Sequence, residues 1–289
     1  MNAAYFKPNK ERNQAIFLLV ITSILWSLGG LLIKSVSWNP LAIAGTRSII
    51  AAGVMLLFNR KLRFTWSSAQ IGGALAYAAT VTLFVIANKL TTAVNAILLQ
   101  YTAPVYTAFL GAWLLKEKTS KLDWLTIALV MGGMGLFFLD KLSVGNIAGN
   151  ICAILSGVTF GATAVLLRKQ KDGSPLESVI LGNIITALIG LPFMLQSAPA
   201  GTFSWLYLII LGVFQLGISY ILYTLAIRHV TALEAILIPI IEPILNPLWV
   251  FLVMGEAPGV WALVGGFIVL VSITGRCLIV ALKESLAST

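Results

Sequence analysis

Charge is scarce in this chain of 289 residues: Asp, Glu, Lys and Arg together make up 10% of it, against 59% apolar residues. An ordinary soluble domain carries about a quarter charged residues, so a water-facing surface is excluded for most of the chain. Histidine occurs once, at His229, which rules out a multi-histidine metal site and any Ser/His/Asp set inside the apolar segments. The two cysteines, Cys152 and Cys277, fall in different segments with no second thiol nearby, so neither a disulfide nor a thiolate cluster is expected and no cofactor is implied. A Gly-rich, Lys-containing phosphate loop is also missing, so direct ATP drive would need another subunit.

Long apolar runs fill the space that charge leaves. Crossing a hydrocarbon core of about 30 Å takes about 18 or more apolar residues at 1.5 Å rise each. Such runs are read at 15–36, 40–58, 69–88, 92–115, 122–139, 147–167, 176–195, 204–227, 231–254 and 260–282. The expected fold is therefore an all-α integral membrane protein of ten transmembrane helices. The connections are too short for a soluble domain, so active groups must lie within the bilayer or at its rim. The first run is too long for a signal-peptide core and lacks the following small-residue cleavage pattern, so it is read as retained.

A net charge of +9 raises the question of nucleic acid, and the placement of the basic residues answers it. Fifteen of the nineteen, from Lys7, Lys10 and Arg12 to Arg276 and Lys283, fall on one side of the membrane; Lys34, Lys89 and Lys141 fall on the other, and Arg47 lies inside a span. This bias puts both termini in the cytoplasm and points to a multi-pass protein of the cell inner (cytoplasmic) membrane whose partner is the lipid bilayer and not nucleic acid.

The chain is internally duplicated. Thr92-Ala93, Pro104 and Glu117 recur as Thr231-Ala232, Pro243 and Glu256, all at an offset of 139, with Ala96 and Ala235 in register. A looser match sets 26–34 beside 160–168, at an offset of 134. The layout read from this is a cytoplasmic segment 1–14, a five-helix repeat 15–139, a connecting loop 140–146, a second repeat 147–282 and a tail 283–289. An odd number of spans per copy makes the two copies inverted, the symmetry by which transporters exchange outward-open and inward-open forms.

The segment Leu99-Gln100-Tyr101-Thr102-Ala103-Pro104 through Lys116-Glu117, and Glu242-Pro243 through Gly255-Glu256, resemble the paired signatures of EamA-type members of the drug/metabolite transporter superfamily. The resemblance covers nearly the full chain. It implies ten helices in two inverted halves, a central cavity and, often, export of amino acids or other metabolites.

Glu242 stands out because it lies near the middle of the ninth span among isoleucines and prolines. A charge at a helix centre costs at least about 2.5–3.5 kcal/mol on insertion scales, so such groups face a partner or an aqueous cavity. It can bind a cationic substrate group, carry a coupling proton, or hydrogen-bond a proline-broken backbone. Pro239, Pro243 and Pro247 recur every four residues around it, and each frees the carbonyl four residues earlier. Pro104 does the same to Gln100.

Glu242, Asn246 and Trp249 share one stripe at i, i+4 and i+7. Across the repeat, Gln100, Tyr101 and Thr107 are expected to face them, although Tyr101 points about 100° from Gln100. In the third and eighth spans Thr80 and Phe84 match Ser219 and Tyr223, and Gln215 extends that face; with Trp26 and Tyr77 these residues are either cavity walls or interhelical contacts. Arg47 lies about 10 Å down the second span. It either caps backbone, pairs electrostatically with Glu242, or binds a substrate carboxylate. Its repeat counterpart is Gly182. Gly132, Gly133, Gly135, Gly265 and Gly266 read as helix contacts, and Glu117 and Glu256 as interfacial caps or salt bridges.

One acid set among amides, hydroxyls and aromatics suits a zwitterionic or cationic small molecule. The expectation is a secondary active exporter of amino acids or related polar metabolites, working by alternating access with protons as the candidate coupling ion, and not an enzyme. A multidrug or quaternary-cation exporter is the alternative. A channel is less well supported, since neither a filter-like carbonyl loop nor a charge ring is visible.

Overall fold

The computed structural model describes residues 10–140, 146–245, 249 and 259–286. Its helices follow the apolar runs: α1 (Lys10–Ser35), α2 (Pro40–Phe58), α3 (Ser68–Leu90), α4 (Ala93–Leu114), α5 (Lys121–Asp140), α6 (Ile147–Lys169), α7 (Pro175–Gln196), α8 (Ser204–Ala226), α9 beginning at Ala232–Leu237, and α10 (Val260–Leu286). Eight of the described segments are long and apolar enough to cross a membrane. The stretch 246–258, apart from Trp249, lies outside the described residues and takes Asn246, Pro247 and Glu256 with it.

Helix starts follow the caps written in the sequence. The Thr92 side chain accepts from the Asn95 amide, and Thr231 accepts from Glu234 while Glu234 returns a bond to the Thr231 amide, a full capping box. The repeated Thr-Ala pair is thus the same N-cap used twice. Asn39, Ser67 and Asn146 cap α2, α3 and α6 in the same way.

Four helices are irregular. α1 breaks at Ser27 and Leu28, next to the Gly29 and Gly30 pair. α4 breaks at Tyr101 and Thr102 and restarts at Ala103, with Pro104 in the first turn of the new segment, where its missing N–H costs no helical bond. α8 widens into a π-helix over Leu211–Ile218. α9 tightens into a 3-10 turn over Ile238–Ile240, around Pro239, and is helical again over 241–245, which includes Pro243. The proline breaks are those the sequence announces; the breaks in α1 and α8 carry no proline.

Packing exchanges the two halves. α2 lies on α7 and α5 on α10; α3 lies on α6 and α7, α8 on α1 and α2; α4 lies on α6, α9 on α1. Moving each helix five places along turns the α2–α7 and α5–α10 contacts into themselves and exchanges the others in pairs. Single hydrogen bonds repeat as well: the Ser156 hydroxyl donates to the Thr80 carbonyl at 3.0 Å, and that of Thr22 to the Ser219 carbonyl at 3.3 Å. These pairs differ by the offsets 134 and 139 found in the sequence.

The polarity of the bundle is inverted relative to a soluble protein. Phe17, Leu57, Trp113, Leu195 and Phe267 are 61% to 79% exposed, while Arg47, Ser156 and Asn183 are buried. A lipid solvent demands this arrangement, because outward apolar surface costs nothing there and polar groups need partners inside. The cysteines are free and half-buried; Cys152 lies near the start of α6 and Cys277 beside Arg276 near the end of α10, at opposite ends of the bundle.

Glycine sets two of the crossings. A Cβ on Gly190 would lie 2.5 Å from the Leu41 carbonyl and 2.7 Å from Cα of Gly45, so α7 and α2 touch backbone to backbone. At the α5–α10 crossing a Cβ on Gly133 would lie 2.9 Å from the Gly265 carbonyl, whereas Gly132 and Gly135 would meet nothing within 4 Å among the described residues. Gly190→Ala is therefore expected to destabilise the detergent-solubilised protein by about 1–3 kcal/mol, the usual cost of overpacking, while Gly132→Ala leaves the melting temperature unchanged. Equal melting temperatures for the two variants would remove the close α2–α7 crossing.

Candidate functional site: a buried cavity at the helix breaks

Each helix irregularity borders one internal cavity. Trp26 precedes the break in α1, Gln100 the break in α4, Gln215 and Leu216 lie in the π segment of α8, and Glu242 follows the 3-10 turn of α9. Arg47 from α2, Thr80, Val81 and Phe84 from α3, Phe160 from α6 and Tyr220 from α8 complete the wall. Irregular backbone inside a membrane is tolerated where it lines such a space. The cavity is narrow, about 30 Å³, room for about two water molecules. All the wall residues are at most 7% exposed, so the cavity lies deep inside the bundle.

Two ionisable side chains of opposite type share it. Arg47, 1% exposed, donates through Nη1 to Gln215 Oε1 at 3.1 Å and through Nη2 to the Val81 carbonyl at 2.9 Å; its Nε has no partner among the described residues. Both acceptors are neutral, and the ion pair with Glu242 that the sequence allows is not formed. Glu242 instead meets Tyr101, whose Oη lies 2.7 Å from Oε2 and 2.9 Å from the Pro239 carbonyl. That carbonyl is the one Pro243 deprives of its helical donor.

Aromatic rings cover the remainder. Trp26 packs against Phe160 at 5.5 Å, Tyr220 at 5.0 Å and Tyr223 at 5.3 Å between ring centres. Trp26 and Phe160 are repeat counterparts, so equivalent positions of the two halves meet edge to face. Tyr77 stands behind them, 4.7 Å from Tyr220, with its hydroxyl 3.2 Å from Asn183 Oδ1.

Several expected wall residues sit one layer back. Ser219 accepts the Trp26 indole N–H at 2.9 Å, and Tyr223 is fully buried against Trp26. Trp249 donates its indole N–H to Ser27 Oγ at 2.7 Å, tying α9 to the break in α1. Gln100 reaches the wall and donates to Ser156 Oγ at 2.7 Å. Thr107 does not reach it: its hydroxyl bonds the Ala103 carbonyl and presses on Gly161, and it borders a second cavity with Glu117, Asp123 and Arg276. The break at Tyr101 turns the second half of α4, so a straight-helix projection from Gln100 to Thr107 misses. Tyr220 escaped that projection for the opposite reason, since the wide π turn ahead of it shifts the register of the face it shares with Gln215.

The absence of a second arginine also has a steric cause. A Cβ at Gly182, the counterpart of Arg47, would lie 2.6 Å from the Tyr77 ring and 2.7 Å from the Ala74 carbonyl, leaving no room for a side chain. The buried charge of the cavity is therefore one-sided.

One end of the bundle is locked by ion pairs that no sequence motif announced. Glu234 accepts from Arg12 at 2.7 Å and from Arg276 at 3.1 Å, and Arg276 also donates to Asp123 at 2.7 Å. All four residues are at most 7% exposed. They join α1 and α5 of the first half to α9 and α10 of the second. Beside them Arg168 donates to Glu117 at 3.1 Å, and the other Glu117 oxygen caps the Ala232 amide at 3.0 Å. At the opposite end Lys34 and Lys89 donate to the backbone carbonyls of Thr91 and Val36, with no carboxylate among their described partners.

Comparison with known proteins agrees with this architecture. The chain is 25% identical over 256 residues to an uncharacterized transporter of Archaeoglobus fulgidus, covering 88% of this chain and 93% of that one. It is 24% identical to human solute carrier family 35 member G1, over 91% of this chain and 78% of the relative, and 25% identical to the uncharacterized transporter YyaM of Bacillus subtilis, over 75% and 81%. A solved crystal structure superposes with a TM-score of 0.77 at 17% identity, covering 94% of this chain and 99% of its own, a likeness of fold. The profile of the EamA-like transporter family matches twice, at residues 13–139 and 147–276. With both halves matched and the helices apolar along their outer faces, this chain is a multi-pass membrane protein that belongs to the EamA-like transporter family.

Proposed function

We propose that this protein is a secondary active transporter that exports amino acids or closely related zwitterions across the cell inner membrane, by alternating access and in exchange for protons. The observation that carries the reading is the pairing, in one buried cavity, of a guanidinium with no acidic partner among the described residues and a carboxyl group. A zwitterion supplies what each lacks: its carboxylate complements Arg47 and Gln215 in planar, bidentate fashion, and its ammonium complements Glu242. The rings of Trp26, Phe160 and Tyr220 then take the side chain. A cavity of about 30 Å³ must widen to admit such a molecule, which suits a closed intermediate between two open forms.

The same reading makes the chain ten spans in two inverted halves with both termini cytoplasmic, as the basic residues predict. The ion-pair lock then lies on the cytoplasmic side, together with Arg168 and Glu117. The ring cluster favours a second reading, export of lipophilic cations by cation–π contact, against which the guanidinium in the same cavity stands.

The test is accumulation of a mixed metabolite pool in proteoliposomes under a pH gradient, read by mass spectrometry, for wild type and Glu242→Gln. Wild type is expected to concentrate selected amino acids and Glu242→Gln to concentrate none. No accumulation by well-folded wild type, with competition only from lipophilic cations, would move the assignment to the second reading.

A further inference from the structure

The hydroxyl of Tyr101 carries one proton and faces two acceptors. Oη lies 2.9 Å from the Pro239 carbonyl and 2.7 Å from Glu242 Oε2, and Tyr101 is fully buried. From within α9 the Pro239 carbonyl shares the Ile241 amide with the carbonyl of Ile238. A proline at 243 denies it the usual donor four residues on. Tyr101 is thus its donor from outside the helix.

Both short contacts are hydrogen bonds at once in one arrangement alone: Glu242 carries a proton and donates it to Tyr101 Oη, and Tyr101 donates its own to Pro239. When Glu242 is ionised, its carboxylate is the stronger acceptor and takes the hydroxyl proton. The Pro239 carbonyl then loses its outside donor at membrane depth, where water does not replace it.

We propose that Tyr101 is a positioning residue that converts the charge of Glu242 into movement of α9. With Glu242 protonated, the 3-10 turn Ile238–Ile240 is pinned to the break in α4. With Glu242 ionised the pin is withdrawn, and the half of α9 beyond Pro239 is released from the half that Glu234 holds in the ion-pair lock. The inference rests on the reading of Glu242 as the proton carrier. The other ionisable groups around Glu242 are Arg47 from α2, Tyr77 from α3, and Tyr220 and Tyr223 from α8; none hydrogen-bonds Glu242 among the described residues. Gln100, Phe160 and Trp26 close the remaining sides without a titrating group.

The experiment compares gradient-driven accumulation with substrate exchange at equal pH, across a pH series, in proteoliposomes of wild type, Glu242→Gln, Tyr101→Phe and Pro243→Ala. Tyr101→Phe is expected to lower the ratio of accumulation to exchange about tenfold and to flatten its pH profile, the scale of one charge-assisted hydrogen bond. Pro243→Ala leaves Tyr101 and Glu242 in place but returns an amide to Pro239, and it is expected to flatten the profile in the same way. A second readout is the infrared band of the protonated carboxyl, assigned by its loss in Glu242→Gln, which is expected to move in Tyr101→Phe. Wild-type profiles in Tyr101→Phe and Pro243→Ala, or an unmoved band, would overturn the relay while Glu242→Gln still uncouples. If Glu242→Gln itself stays coupled, the proton-carrier reading fails and the relay falls with it.

Discussion

Replacing Arg47 with glutamine is expected to abolish transport and, in the same protein, to raise the melting temperature measured without substrate. The guanidinium stays charged under all physiological conditions, and here it is 1% exposed, with the Gln215 amide oxygen and the Val81 carbonyl as its acceptors among the described residues. A buried charge without a counter-charge costs several kcal/mol, and replacing buried ionic groups by neutral ones is often stabilising by about 1–4 kcal/mol. For a chain of this length that corresponds to about 2–4 °C per kcal/mol. The penalty persists because the site needs the charge: losing a desolvated, hydrogen-bonded ionic contact costs a ligand about 2–5 kcal/mol, so apparent affinity should fall at least about thirtyfold. A variant that melts lower and transports normally would make Arg47 a cap on the Val81 carbonyl and nothing more.

The opposite pattern is expected at Glu234. Its carboxylate holds Arg12 at 2.7 Å and Arg276 at 3.1 Å, and its second oxygen closes the capping box on Thr231. Glu234→Gln leaves Asp123 as the single described carboxylate facing this pair of buried arginines. Breaking a buried pair from one side costs about 3–5 kcal/mol, so a fall in melting temperature larger than that of any surface variant is predicted. Because the four charges join both halves, their loss should also open this end, seen as faster alkylation of Cys277, which lies beside Arg276. High salt should reproduce neither effect, since buried pairs are poorly screened. Unchanged melting and unchanged labelling in Glu234→Gln would mean that the network is ornamental to closure.

What could be read in advance divides along physical lines. Span positions and the duplication were legible because each depends on a local pattern: an apolar run, a fixed offset. Glu242 and Arg47 were legible as anomalies, charges where the solvent forbids them. The contacts between them were not, because a helical wheel assumes one pitch throughout, and this cavity is built where pitch changes. The break at Tyr101 carried Thr107 away from the wall, and the π turn in α8 brought Tyr220 into it. The lock was invisible for another reason: Arg12 and Glu234 are 222 positions apart, and each alone reads as a basic residue before a span or an acid in a first helical turn.

The two half-buried thiols give the unaltered protein a pair of native gauges. Cys152 lies near the start of α6 and Cys277 in the second half of α10 beside Arg276, so a conformational exchange that opens one end of the bundle while closing the other is expected to drive their modification rates in opposite directions. An impermeant maleimide applied from one side of sealed vesicles would modify one thiol and spare the other, reporting the orientation of the chain. Added substrate would then tip the balance between the two rates, turning the narrow cavity seen here into one point on a cycle that can be timed without a single mutation.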